Sequence, residues 1–166
     1  MTPTESVTAV TLETSSPDET RALAAALAAV AAAGDRLALH GSLGAGKTQF
    51  AKGFAVGLGI TAVVNSPSFT LMAEYQGRLP LFHQDLYRLA GSSEAIDGGL
   101  LDERQDEGVT LTEWAERLDA HLDPERLDVS LEVLDDERRR IVLGAGSRPQ
   151  YERYLAAARD WVGMRP

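Results

Sequence analysis

The segment Gly41-Ser42-Leu43-Gly44-Ala45-Gly46-Lys47-Thr48 places three glycines, a lysine and a hydroxyl at the spacing G-x-x-x-x-G-K-[ST], which suits the binding of a polyphosphate. Glycine reaches left-handed backbone angles without a Cβ penalty, so the main chain can wrap an anion and aim its N–H groups at the oxygens. Lys47 then reaches the β- and γ-phosphates. Thr48 offers its hydroxyl to Mg2+, a hard cation that takes oxygen ligands and keeps water or substrate phosphate among them. The chain holds only two lysines, Lys47 and Lys52, beside fourteen arginines, so a lysine closing a glycine-rich run is selective. The plainer reading of the segment is a flexible strand-to-helix connection.

Such a cradle serves kinases, GTPases and ATPases alike, and the reaction has to be read from other residues. Phosphoryl transfer needs an acid that holds Mg2+ or its waters and a group that orients the attacking atom. Asp85 and Glu113 each follow a strand-like stretch, and in an open parallel sheet the carboxyl ends of the strands line the ligand crevice. Each is equally a carboxylate at a helix start, favoured by the helix dipole, and composition does not separate the two. No N-K-x-D guanine-reading tetrapeptide occurs, which favours ATP. A small-molecule kinase and a non-catalytic, nucleotide-gated scaffold are the alternatives to an ATPase. His83 and Asp85 have the spacing of a metal pair on one strand face, without a third nitrogen or sulfur ligand. Arg138-Arg139-Arg140 reads as a solvated face beside a turn, with phosphate or RNA contact as the alternative. Trp114 reads as core or as a stacking surface.

These groups need a scaffold. Residues 37–40 are short and apolar, as a buried parallel strand is, and a helix follows the glycine-rich turn from Lys47 to about Leu58, closed by Gly59. Ser16-Pro17-Asp18-Glu19 is a helix start with a serine cap, proline in the first turn and glutamate three residues after the cap. That helix is expected over 17–33, with Leu23, Leu27 and Val30 on one face. Strands are expected at 62–64, 69–75, 79–83 and 109–112, with Gln76-Gly77-Arg78 as a hairpin turn. A helix over 114–122, a hairpin of 127–134 with 139–143, and a last helix over 151–162 complete the pattern. The expected fold is a three-layer α/β P-loop domain with a mainly parallel sheet and added antiparallel hairpin strands.

The 166 residues fit one domain, 1–166, with 1–6 as a flexible tail. Hydrophobic residues at 44% and charged ones at 25% are an ordinary globular mix. A net charge of −9 opposes direct binding to DNA or to an anionic membrane. The absence of cysteine excludes disulfides and thiolate metal sites. The longest apolar run, residues 22–33, is too short to span a bilayer, and the first residues lack a secretory pattern. A cytoplasmic protein is expected.

Taken in order, Gly41 to Thr48, Ser66-Pro67-Ser68-Phe69-Thr70, His83-Gln84-Asp85-Leu86-Tyr87-Arg88-Leu89 and Glu113-Trp114 closely resemble the TsaE (YjeE) family. Its members are small bacterial P-loop ATPases required for threonylcarbamoylation of tRNA at the adenosine next to the anticodon. The resemblance runs from the first helix to the hairpin near Leu143. It implies that Thr48 and Glu113 bind Mg2+ and that Asp85, with Lys47, is needed for activity. It further implies that 66–70 forms a switch loop near the γ-phosphate, with Ser66, Ser68 and Thr70 as candidate sensors. The start of the first helix, Asp18 to Thr20, would contact the nucleotide. The implied nucleotide-binding set is thus 41–49 (Gly41, Ser42, Leu43, Gly44, Ala45, Gly46, Lys47, Thr48, Gln49) with Thr20, Ser68 and Thr70. The implied partners are TsaD and TsaB, with tRNA met through them. Ser42 stands where the family usually has Asp, Gln49 where it has Thr, Ser68 where Thr is common, and Gln84 where it has Phe. Phosphate binding through backbone N–H groups tolerates the first two changes, and the switch hydroxyl stays open between Ser68 and Thr70.

Overall fold

The computed structural model describes residues 8–65, 67, 71–87, 103–115 and 125–165. Seven strands form one sheet: β1 (Ala9–Thr14), β2 (Arg36–His40), β3 (Met72–Tyr75), β4 (Leu81–Asp85), β5 (Val109–Glu113), β6 (Leu127–Val133) and β7 (Arg139–Gly144). Their order across the sheet is β1-β7-β6-β2-β5-β4-β3. The centre is parallel, β2 lying between β5 and β6 and β4 beside β5. The outer pairs β1–β7, β6–β7 and β3–β4 are antiparallel, so the parallel ladder is confined to the middle, where the strands are buried.

Three helices, α1 (Pro17–Ala28), α2 (Lys47–Gly57) and α3 (Glu152–Met164), share one core with a single face of the sheet. Leu23 and Leu27 of α1, Phe50 and Phe54 of α2, and Tyr154 and Leu155 of α3 meet Leu37, Leu39, Leu111, Val129 and Ile141 there. The other face is closed too, since Ala38, Phe82, Thr110 and Thr112 are all buried. Among the described residues no helix is long and apolar enough to cross a membrane.

The start of α1 follows the sequence: Ser16 Oγ accepts the Glu19 N–H at 3.2 Å, and Glu19 reaches back to the Ser15 N–H at 2.8 Å, a reciprocal cap. Its end does not. α1 stops at Ala28 rather than 33, and the N–H groups of Val30 and Ala31 turn to carbonyls three residues back. Arginines from elsewhere donate to the carbonyls at this end, Arg78 to those of Ala28 and Ala31, and Arg153 to that of Val30. Residues 62–64 form no strand: Val63 is 75% exposed and only Val64 is buried, so the segment has one anchor and, among the described residues, no paired strand. The hairpin strands are shifted, Tyr75 facing Leu81 across a longer connection that includes Pro80. β1 is an addition, pairing Ala9–Thr14 along β7. The strand expected at 69–75 is described only from Leu71 on, and the helix expected at 114–122 lies outside the described residues from 116 on.

α2 carries the glycine-rich turn and is set against α1 by backbone contact. A Cβ on Gly53 would lie 2.2 Å from the Arg21 carbonyl oxygen, and one on Gly57 would lie 2.5 Å from that of Ala25. Gly53→Ala therefore forces the two helices apart. Overpacking of this kind costs about 1–3 kcal/mol, to be read as a lower urea midpoint in equilibrium unfolding.

Candidate functional site

β2 ends at His40, and the chain turns through Gly41, Gly44 and Gly46 at φ of 150°, 82° and 105° before α2 begins at Lys47. These angles favour glycine, and at Gly41 space forbids anything larger. A Cβ there would lie 2.6 Å from the Leu131 carbonyl oxygen. The loop thus folds tightly against β6, and the first turn of α2, whose leading N–H groups lack partners within a helix, borders a cavity. That cavity, about 360 Å³, is lined by Leu43, Gly44, Gly46, Lys47, Thr48, Gln49, Asp85, Tyr87, Glu113 and Trp114.

The acids arrive from the sheet. Because β4 and β5 are parallel with Asp85 opposite Glu113, both side chains stand on the same face. Along β4 that face reads Leu81, His83, Asp85, and along β5 Val109, Leu111, Glu113. It is apolar over the core and becomes acidic at the carboxyl ends of the strands. Both acids close strands and line the cavity. Asp85 Oδ1 accepts the Tyr87 N–H at 2.9 Å. Glu113 Oε2 meets His83 Nε2 at 2.6 Å, and both side chains are almost fully buried. His83 Nδ1 has no hydrogen-bond partner among the described residues. His83 thus orients a carboxylate.

Lys47 is buried, its ammonium donating to the Gly41 carbonyl at 2.7 Å and lying 3.5 Å from the centre of the Trp114 ring. Trp114 has a left-handed backbone, φ 59°, and its ring packs against Tyr87 with centroids 5.0 Å apart. It is therefore a wall of the cavity over the lysine, neither core nor a free stacking surface. Thr20 lies on the α1 side of the loop, buried, with its hydroxyl 2.7 Å from that of Thr14. It lines a smaller cavity of about 70 Å³ with Pro17, Gly44, Gly46, Gln49, Glu137 and Arg139. Gln49 accepts a hydrogen bond from Arg21, which also pairs with Asp18. Ser42 and Leu43 are exposed at the loop tip, and Ala45 is buried. Ser66, Ser68 and Thr70 lie outside the described residues.

The donors facing the larger cavity are hydroxyl and carboxylate oxygens beside one ammonium, a set that fits Mg2+ with a polyphosphate better than a soft metal. The sequence reading missed His83 as the partner of Glu113, Trp114 over Lys47, and Tyr87 in the wall. The two-residue spacing of His83 and Asp85 was the available signal for the first.

Fold and loop together define a P-loop NTPase-type protein. The model of the family "Threonylcarbamoyl adenosine biosynthesis protein TsaE" matches residues 14–141. The tRNA threonylcarbamoyladenosine biosynthesis protein TsaE of Bacillus subtilis is 49% identical over 133 residues, 80% of this chain and 83% of that protein. The Treponema pallidum protein of the same name is 44% identical over 110 residues, 66% of this chain and 82% of that protein. The crystal structure of Bacillus subtilis YdiB superposes with a TM-score of 0.71 at 39% identity, covering 96% of this chain and 98% of that one. This chain belongs to the TsaE family.

Removing the His83 ring leaves a buried carboxylate without that donor and opens a void. His83→Ala is expected to lower stability by about 2 kcal/mol or more, read from denaturant unfolding with an unchanged m-value.

Proposed function

We propose that this chain binds ATP with Mg2+ and hydrolyses it in support of tRNA threonylcarbamoylation. In this reading it acts in the cytoplasm with TsaD and TsaB and meets tRNA through them. The observation that carries the reading is that Lys47, Thr48, Asp85 and Glu113, drawn from three separate elements, line one cavity. Membership of the TsaE family supplies the biological setting.

The loop N–H groups and Lys47 hold the triphosphate, the ammonium spreading over the β- and γ-phosphates. Thr48 and Glu113 are the residues that would hold Mg2+, which when bound neutralises charge on the phosphate oxygens. His83 fixes the Glu113 carboxylate. Asp85, the neighbour of Glu113 across the ladder, orients a water toward the γ-phosphorus. The new bond from that oxygen to phosphorus forms as the bond to the ADP oxygen breaks, and the water's proton passes toward the carboxylate. Catalysis is then chiefly positioning and electrostatics.

Two measurements test this. Mg·ATP at a hundred times its Kd should raise unfolding stability by about 2.7 kcal/mol, and Lys47→Ala should abolish the gain. Unchanged melting of the wild type under saturating nucleotide contradicts ATP binding. Hydrolysis is expected to be slow for the chain alone and faster with TsaD and TsaB, and Asp85→Asn should remove it in both settings. Phosphate delivered to a metabolite would identify a kinase instead. Full complex function with Asp85→Asn but not with Lys47→Ala would identify a nucleotide-gated scaffold.

A further inference from the structure

The run Arg138-Arg139-Arg140 divides in the structure. Arg138 pairs with Asp135 at 2.7 Å, and Arg140 with Glu132 at 3.2 Å, both at the surface. Arg139, at the start of β7 and half-buried, turns the other way. Its Nε donates to the Ala45 carbonyl at 3.1 Å and one terminal nitrogen to the Gly44 carbonyl at 3.2 Å. The other terminal nitrogen donates to the carbonyls of Asp135 and Arg138 at 2.7 and 2.9 Å. Among the described residues it has no carboxylate partner. One planar guanidinium therefore joins the β6–β7 turn to the glycine-rich loop entirely through main-chain oxygens.

The turn it anchors to is itself fixed. The Asp135 carboxylate accepts the N–H groups of Arg138 and Glu137 at 2.7 and 3.0 Å. The Arg138 N–H, and after it the guanidinium, hold that carboxyl down to about 2. A loop that binds anions through its N–H groups must turn its carbonyls outward, because a carbonyl aimed at a phosphate repels it. Gly44 and Gly46, at φ of 82° and 105°, do not hold one peptide orientation by their own preferences. We propose that Arg139 is a positioning residue. Its fork holds the Gly44 and Ala45 carbonyls outward, so that the loop is set for phosphate before nucleotide arrives, and its unneutralised charge adds to the field there. The inference rests on the reading that this loop binds polyphosphate.

The test compares wild type, Arg139→Lys and Arg139→Met. Lysine keeps the charge but cannot bridge two carbonyls and the turn together. In the nucleotide-free proteins, amide exchange across residues 41–50 should quicken about tenfold in both variants, while exchange in β2 and β5 stays as in wild type. The Kd for ATP, measured by calorimetry, should rise about tenfold in both because preorganisation is lost. Exchange across 41–50 that remains as slow as wild type in both variants overturns the proposal, as does full restoration of slow exchange by lysine. A wild type that takes up no ATP refutes the proposed function, and the role of Arg139 in setting the loop is then judged by exchange alone.

Discussion

Everything at the site depends on the register of β4 against β5. In a strand the side chains alternate between faces, so a slip of one residue would carry Asp85 to the far face and put Phe82 and Gln84 over the helices. Several contacts hold the register that is observed. Leu81 and Val109 pair as neighbours within the core. Thr112 donates to Gln84 at 3.1 Å on the opposite face. Beyond the strand ends, the Leu86 N–H bonds the Glu113 carbonyl and the Val109 N–H that of Pro80. With both faces and both ends engaged, the two acids have no freedom to part.

The net charge of −9 coexists with a glycine-rich loop held by two cations, Lys47 and Arg139. Most of the arginines described above are taken up in structural work: Arg153 grips the buried Asp35 at 2.9 Å, Arg165 reaches Glu19, and Arg78 covers the end of α1. Lys47 and Arg139 differ in pointing at the loop backbone. Local chemistry at the cavity is therefore set by which charges face inward, and the total says little about it.

The loop and its flanking elements were legible because their chemistry is local. The glycines, the lysine and the hydroxyl sit within eight consecutive residues, and the apolar runs before and after them have the right length and period. The two hairpins were legible for the same reason, from turn residues between alternating stretches. What escaped the reading is carried by contacts between distant residues. His83 and Glu113 are 30 apart in sequence, and the spacing of His83 to Asp85 puts both on one strand face without naming Glu113 as the partner. The end of α1 is decided by arginines 47 and more residues away, while the alanine-rich sequence alone favours continuing the helix. β1 alternates in the structure, Val10, Leu12 and Thr14 turned inward and Ala9, Thr11 and Glu13 exposed, but it was hidden because only Val10 and Leu12 on that inner face are large and apolar. The left-handed backbone of Trp114 is imposed by its setting and runs against the ordinary preference of an aromatic residue.

The pairing of β2 with β6 joins Leu37 to Leu127, and Leu131 of β6 supplies the wall against which Gly41 closes. A nascent chain that has emerged only as far as α2 possesses every residue of the glycine-rich turn and its α1 neighbour but none of its backing from β6. Parallel pairings across so long a stretch must bear the entropy of loop closure before they return any contact energy. The turn consequently gains its β6 wall only once Leu131 has been made, although its own residues are among the first third to be made.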